Sequence, residues 1–177
     1  MVLDPDATNL DREALIDRLH VSLETMEWAA RMIPERWTHR ALPLPPSPEG
    51  EPPWSAAMNL AHLVLYSERL PTPVLESLLA GGDGVSDTWF REPSPYEVPA
   101  VELAAEPISQ ILARLRVAQT REIELARRFS LDQWTTPSTR AWGARGMGPP
   151  LHSPARVVAK SLQHNWEHGN AVLQLAL

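Results

Sequence analysis

Apolar residues recur at intervals of three and four residues in four stretches of this chain, a pattern typical of helices that bury one face. The pattern predicts helices over about residues 9–33, 55–69 and 102–129, and from residue 153 onward. No stretch shows the alternation of apolar and polar residues that is typical of a strand. Four such helices predict an all-α fold, a four-helix bundle with long Pro-rich connections, in a single domain over residues 1–177.

Residue types at the helix ends support these boundaries. The predicted N-caps are Asn9 or Asp11, Ser55 and Ser153. Pro154 follows the last of them, at the helical position that accepts proline best. Pro34 ends the first helix. Pro71 and Pro73 are expected to kink or break the second helix, which resumes over residues 74–80.

The connections between the helices are long, and most of the 18 prolines lie in them. The run of prolines in residues 41–53 favours an extended polyproline II connector. Residues 82–100 and 130–152 are rich in turn-forming residues and are predicted to be loops. Long loops in a compact domain are often functional, so these segments are expected near a binding site or at the surface.

Composition narrows the possible functions. The net charge of −6 argues against nucleic acid as a partner, because phosphate binding needs basic patches. The chain has no cysteine, so a metal site must use histidine or carboxylate ligands. It has no apolar run long enough to span a membrane and no basic and apolar leader, which predicts a cytoplasmic protein without membrane contact.

Two histidines lie in the apolar seam of the last predicted helix. His164 and His168 are four residues apart, which on a helix places both imidazoles on one face, about 6 Å apart along the axis. A buried imidazole needs a partner for each ring nitrogen, and a metal ion supplies one. The alternative is a pair of core histidines that are satisfied by backbone or side-chain groups.

A weak internal similarity points to a third histidine. In each half of the chain, a helix ends near a tryptophan, and a proline-containing loop leads to a serine-capped helix. His62 lies 7 residues after Ser55, and His164 and His168 lie 11 and 15 residues after Ser153. These offsets differ by four, so a pseudo-two-fold axis between the halves would bring the three histidines together. Three histidines with open positions are typical of a catalytic or substrate-binding metal site.

These residues give the chain a resemblance to the DinB/YfiT-like superfamily, which includes bacillithiol transferases and mycothiol-dependent maleylpyruvate isomerases. The likeness rests on Trp54-Ser55 opening a helix with Asn59-Leu60-Ala61-His62-Leu63, on the signature His164-x-x-x-His168-Gly169-Asn170-Ala171-Val172, and on the four-helix layout. The similarity in helix layout extends over nearly the whole chain, whereas the similarity in sequence motifs is limited to these positions. Asn170 stands where glutamine is frequent in the family, and the Pro-rich loops are unusually long.

The resemblance implies that His62, His164 and His168 bind one divalent metal, often zinc or nickel. In characterised members of the family the metal activates a thiol cofactor or a water for attack on an electrophile. The implied cofactors are therefore the metal and a low-molecular-weight thiol. The implied activity is that of a thiol S-transferase or a hydrolase acting on a small-molecule substrate, and the departures from the family pattern concern the substrate more than the metal site.

Five further residues are candidates for the surroundings of this site. They are Glu167, Glu122, Tyr66, Trp54 and Trp166. Glu167 is adjacent to His168 but about 100° around the helix, so it is expected to be exposed or to contact a ligand rather than to bind the metal. Glu122 interrupts the seam of the third helix, and the edge of the bundle is favoured over a polar site. The aromatic residues could line an apolar pocket, with ordinary packing as the favoured alternative for most.

Two other functions stay open. The segment His164-Asn165-Trp166-Glu167-His168 matches the inverted zinc-protease motif HxxEH, with Glu167 as general base. That motif needs a further ligand downstream, however, and only nine residues follow His168. The chain could instead be a non-enzymatic metal- or ligand-binding bundle, and a homodimer through an exposed apolar helix face is left open.

Overall fold

The computed structural model describes residues 11–41, 53–82, 98–136 and 153–177. Within these ranges the regular structure is helical, apart from one isolated bridge between Ala41 and Ser55. In chain order the helices are α1 (Arg12–Met32), α2 (Glu35–Thr38), α3 (Ala56–Arg69), α4 (Pro71–Leu79), α5 (Val98–Ala104), α6 (Ile108–Arg127), α7 (Leu131–Thr135) and α8 (Pro154–Ala176). The predicted all-α fold is confirmed.

Helices α1, α3, α6 and α8 form a four-helix bundle in which α1 and α3 each pack against both α6 and α8. Asn165 on α8 bonds to Ser22 on α1, and one turn further along both helices Gly169 lies against Met26. Helices α1 and α8 therefore run parallel. Because parallel neighbours cannot be joined by a tight turn, the chain between them must cross over other elements.

Helices α1 and α6 run antiparallel. Glu27 near the end of α1 is paired with Arg116 in the first half of α6. At the opposite end of the pair, Arg12 at the start of α1 donates a hydrogen bond of 2.7 Å to the carbonyl of Phe129, just beyond α6. These contacts between the ends hold α1 and α6 in register along their whole length.

Side-chain caps begin the helices where the sequence predicts. Asp11 Oδ1 accepts a hydrogen bond of 2.7 Å from the backbone N–H of Ala14. Ser55 and Ser153 make the equivalent bonds, of 3.1 and 3.2 Å, at the starts of α3 and α8. Each cap satisfies one of the backbone N–H groups that the first turn of a helix leaves without a partner.

Three predicted boundaries are wrong. The third predicted helix is two helices, because Pro107 has no N–H to continue α5 and instead occupies the N-cap of α6. The predicted loop from residue 130 begins with α7, which Ser130 starts through a capping box with Gln133. The second helix breaks at Leu70, and α4 already begins at Pro71. The remaining parts of the predicted loops, residues 42–52, 83–97 and 137–152, lie outside the described residues.

Two apolar clusters fill the bundle, with buried polar residues between them. One cluster joins the second half of α1 to α3, α5 and the start of α6, and the other joins the first half of α1 to α4, the end of α6 and the start of α8. The polar residues at the level between them are Ser22, Gln119, Glu122, Ser161, His164 and Asn165. Among the helices described, none is both long enough and apolar enough to cross a membrane.

Candidate metal centre

Three histidines from two helices meet inside the bundle. His62 comes from α3, and His164 and His168 come from α8. One nitrogen from each ring can be chosen so that all three atoms lie within 4.8 Å of one another. His62 Nε2 is 2.8 Å from His164 Nε2. The prediction that His62 meets His164 and His168 is confirmed.

The antiparallel packing of α3 and α8 produces this convergence. Along α3 the residues Asn59, His62 and Tyr66 follow one another at intervals of about one turn. Asn59 contacts His168, His62 contacts both histidines of α8, and Tyr66 stacks on His164. The order of these contacts reverses along α8, so His62 is opposite the middle of the four-residue step. A single histidine on α3 therefore reaches two on α8.

Burial keeps the imidazoles of His164 and His168 uncharged. Desolvation lowers the pKa of His164 to about 2, and the charges of His168, His62 and Lys160 add to the effect. Desolvation, followed by the charge of His62, lowers the pKa of His168 to about 3. A neutral imidazole has one nitrogen lone pair, which is what a metal ligand needs.

The donor set fits a divalent metal ion. The three ring nitrogens converge, the rings of His164 and His168 are neutral, and imidazole is a ligand that suits zinc, nickel, copper and iron. The described residues bring no carboxylate into this group of ligand atoms. Three protein ligands leave coordination positions for a water or a substrate, as in catalytic zinc sites.

Asn59 holds the ring of His168. Its side-chain Oδ1 is 2.9 Å from His168 Nδ1, and its Nδ2 donates a hydrogen bond of 2.9 Å to the carbonyl of Ser55. The role of Asn59 was not predicted from the sequence, although the residue lies in the segment that carries the family resemblance. An amide one turn before His62, in the otherwise apolar first six residues of α3, is the signal that could have indicated it.

Two of the predicted aromatic residues surround the histidines. The ring of Trp54 stacks on His168, with 5.2 Å between centroids and 14° between planes. The ring of Tyr66 stacks on His164, with 4.0 Å between centroids and 26° between planes. Trp54 and His168 are partly exposed, whereas Tyr66 and His164 are buried. The solvent side of the cluster is therefore the side of Trp54.

Trp166 and Glu167 lie on the outside of α8. Trp166 is two residues from each histidine of the pair, which places it on the opposite face of the helix, and it is 40% exposed. Glu167 has half of its side chain exposed, and its Oε2 is 3.5 Å from His164 Nδ1. Glu167 is therefore exposed, as expected, and accepts its close hydrogen bond from Gln163. The placement of Trp166 corrects its prediction as a pocket residue.

Glu122 is fully buried in the interior, which overturns the favoured interpretation that it lies at the edge of the bundle. Burial raises its pKa to about 8, while the nearby Ser161 hydroxyl pulls the pKa down by less. Among the described residues, neither carboxyl oxygen of Glu122 nor the Ser161 hydroxyl has a partner in hydrogen-bonding geometry. A carboxyl group with a pKa of about 8 is mostly protonated at neutral pH.

Beside the histidines, Ser22, Gln119 and Asn165 form an amide cluster that links α1, α6 and α8. Gln119 Nε2 donates to Asn165 Oδ1 at 2.7 Å, and Asn165 Nδ2 donates back to Gln119 Oε1 at 3.0 Å. Asn165 Nδ2 also reaches Ser22 Oγ at 2.8 Å. This cluster ties α8 to α1 and α6 at the residue that follows His164. No local sequence pattern indicates which residues pair in this cluster.

Comparisons with known proteins add one likeness of fold. No family model matches the chain, and no curated protein matches it. Its structure is similar to that of the colibactin self-resistance protein ClbS, which was crystallised in complex with double-stranded DNA. The likeness has a TM-score of 0.59 at 17% sequence identity and covers 93% of this chain and 92% of ClbS. It shows that the two chains share a fold.

The exclusion of nucleic acid from the net charge is wrong. A protein with this fold has been crystallised on double-stranded DNA. The physical reason is that net charge is a sum over the whole chain, whereas binding to phosphates depends on where the charges lie. The value of −6 therefore does not decide which partners this fold accepts.

Proposed function

We propose that this chain is a divalent-metal-dependent enzyme of the DinB/YfiT type, a thiol S-transferase or hydrolase acting on a small electrophilic substrate. The observation that carries the proposal is the convergence of His62, His164 and His168, whose ring nitrogens lie within 4.8 Å of one another. His164 and His168 are held neutral by burial. A site with three imidazole nitrogen donors suits zinc or nickel.

Each part of the surroundings has a task in this proposal. A bound divalent metal would lower the pKa of a thiol or water, which supplies a nucleophile near neutral pH. His62, His164 and His168 would hold the metal through ring nitrogens. Tyr66 covers one face of His164 and excludes water from the buried side of the cluster. Trp54 covers His168 on the solvent side, where a substrate would approach.

The other enzymatic function, an inverted-motif hydrolase, has less support. In that motif Glu167 is the general base and a third ligand follows downstream. Here the third histidine in reach is His62, which lies upstream on α3. The carboxylate of Glu167 is beside His164 Nδ1, whereas the nitrogen that faces His62 is His164 Nε2.

Metal analysis of the purified protein tests the proposal. We expect about one zinc or nickel ion per chain, retained through dialysis and removed by a chelator. His62→Ala, His164→Ala and His168→Ala should each lose the metal, whereas His20→Ala, an exposed histidine on α1, should keep it. Loaded wild-type protein should then consume an electrophile in a panel that pairs several thiols, and water alone, with alkyl, epoxide and ester substrates.

The outcomes separate the open functions. Metal that binds stoichiometrically without turnover in the panel would favour a non-enzymatic metal-binding bundle. Protein that carries no divalent metal, and whose three histidine variants behave like the wild type, would reject the site itself. A lower turnover in Glu167→Gln with unchanged metal content would revive the inverted-motif hydrolase.

A second candidate function is association with double-stranded DNA, motivated by the complex in which ClbS was crystallised. Fluorescence anisotropy with a labelled duplex would detect it. Binding through phosphates should weaken steeply between about 50 and 200 mM salt. An anisotropy that stays constant with added protein at low salt would exclude this function, and a metal-free sample would show whether binding needs the histidine site.

A further inference from the structure

Asn59 is buried between two groups that together dictate how its amide is oriented. Its Nδ2 is 2.9 Å from the carbonyl oxygen of Ser55, and its Oδ1 is 2.9 Å from His168 Nδ1. A carbonyl oxygen can only accept a hydrogen bond, so the Asn59 group that faces Ser55 must be the NH₂. The group that faces His168 is then the oxygen.

The oxygen of Asn59 in turn dictates the state of the His168 ring. An amide oxygen can only accept, so His168 Nδ1 must carry the proton that joins them. A neutral imidazole has one protonated nitrogen, which leaves Nε2 of His168 with the lone pair. The two hydrogen bonds thus select one tautomer and also fix the angle of the ring.

The hydrogen bond to Ser55 is not needed to hold α3 together. The same carbonyl already accepts the backbone N–H of Asn59 at 3.0 Å, as the first turn of the helix requires. Its second bond, to the side chain, therefore serves to orient the amide. The amide carries this orientation from the N-terminus of α3 across to α8.

We propose that Asn59 is a positioning residue that fixes the tautomer and ring orientation of His168, so that His168 offers Nε2 as its metal ligand. This inference rests on the proposed three-histidine site. Groups that hold the second nitrogen of a ligating histidine commonly affect metal affinity by about 10- to 100-fold. Asn59 makes no contact with the metal in this role and donates no proton to a substrate.

The test begins with the metal-free protein and ¹⁵N-labelled histidine. Long-range ¹H–¹⁵N correlation spectra should show His168 of the wild type as the Nδ1–H tautomer. In Asn59→Leu, which removes the acceptor but keeps the size, the signals should move to a mixture of tautomers. Zinc affinity, measured by competition with a chromogenic chelator, should fall by about 10- to 100-fold.

Two variants separate positioning from general stability. Gln119→Leu removes an amide of similar burial whose hydrogen bonds go to Asn165, so it should lower the melting temperature and leave the tautomer unchanged. Asn59→Asp loses the donor to Ser55 but keeps an oxygen acceptor for His168 Nδ1, so it should retain the Nδ1–H tautomer with a less firmly held ring. If Asn59→Leu does not fold, Asn59→Gln, which displaces the acceptor by one methylene, should shift the tautomer instead.

An unchanged His168 tautomer and a zinc affinity within twofold of the wild type in Asn59→Leu would overturn the proposal. That result would leave the proposed metal site intact, because the wild type would still bind zinc. In the opposite case, a tautomer that depends on Asn59 in a protein that binds no metal would preserve the positioning role and reject the proposed function.

Discussion

The histidine cluster and the amide cluster are neighbours in one core, and they differ in how their polar atoms are matched. In the amide cluster, Gln119 and Asn165 exchange donors and acceptors in both directions. In the histidine cluster, His62, His164 and His168 point nitrogens of the same kind at one another. The amide cluster completes itself, whereas three imidazoles cannot all donate to one another.

This difference separates stabilising from functional polar residues in an interior. Buried groups that match one another are fully accounted for by the fold, since each desolvation cost is offset within the protein. Like groups that converge would be accounted for by a shared ligand, such as the metal ion proposed for the three histidines. Both clusters are polar and largely buried, although His168 is partly exposed. The arrangement of donors and acceptors is what differs most between them.

The largest expected effect comes from breaking the amide cluster. Asn165→Leu would leave both ends of the Gln119 amide without their partner, and should lower the free energy of unfolding by about 4 kcal/mol, at roughly 2 kcal/mol for each buried group left unpaired. Zinc affinity should change by only a few-fold, because Asn165 is not one of the three proposed ligands and its hydrogen bonds go to Gln119 and Ser22. Urea denaturation and chelator competition measure the two quantities. A loss of zinc affinity as large as that in His164→Ala would place Asn165 within the metal site.

The next effect depends on pH and concerns Glu122. Its pKa is raised from 4.5 to about 8 by burial, so the folded state holds a proton that the unfolded chain releases. The contribution of the protonated Glu122 to the free energy of unfolding is fully present below about pH 4.5 and is lost as the pH rises to about 8. Glu122→Gln cannot ionise, so its stability relative to the wild type should grow by about 3 kcal/mol between pH 5 and pH 8.

The comparison with Glu122→Gln cancels the histidines, whose lowered pKa values act in the opposite direction. His164 and His168 contribute stability that is present above their unfolded pKa and is lost as the pH falls below about 6.5. Chemical denaturation of metal-free protein at several pH values provides the measurement. Parallel pH profiles for the wild type and Glu122→Gln would mean that Glu122 is not a buried, neutral acid.

Metal addition should produce a somewhat smaller effect. At a zinc concentration 100 times the dissociation constant, the wild type should gain about 2.7 kcal/mol, or roughly 5–10 °C in melting temperature for a chain of this size. His62→Ala should show little gain, whereas Gln119→Leu should show the full gain from a lower starting temperature. Differential scanning calorimetry checks this, and an equal gain in His62→Ala would remove that residue from the ligand set.

The smallest effect is expected at Gly169, where α8 lies close to α1. A Cβ at this position would be 3.0 Å from Cγ and 3.3 Å from Sδ of Met26. Because methionine is flexible and alanine favours helix, Gly169→Ala should change the free energy of unfolding by less than about 1 kcal/mol. Zinc affinity should stay at the wild-type value, although Gly169 is adjacent to His168. A tenfold weaker site would show that the spacing of α1 and α8 sets the position of His168.

The predictable part of the site depended on periodicity. A spacing of four residues fixes the common face of His164 and His168 before any tertiary structure is known. The offsets of His62 and of the pair from their capping serines then placed all three at corresponding levels. Helix starts were predictable for the same reason, since a capping serine acts within one turn.

The remainder depended on how the helices are rotated against one another. Asn59 bonds to His168, 109 residues away, and Asn165 bonds to Ser22, 143 residues away. No local sequence pattern predicts such pairings. Glu122 has the spacing of a core position in α6. Because glutamate is rarely buried without a partner, the sequence favoured a position at the edge of the bundle. Its burial follows from the packing of α6 on its neighbours.

The parallel pairing of α1 with α8 has a consequence for how the protein is made. The first described helix packs against the last, and Ser22 is separated in sequence from its partner Asn165 by 143 residues. At the usual 5–20 residues per second of synthesis, this delay is roughly 7–30 s. During that time the apolar face of α1 must stay soluble without α8, so the nascent chain is a candidate client for chaperones.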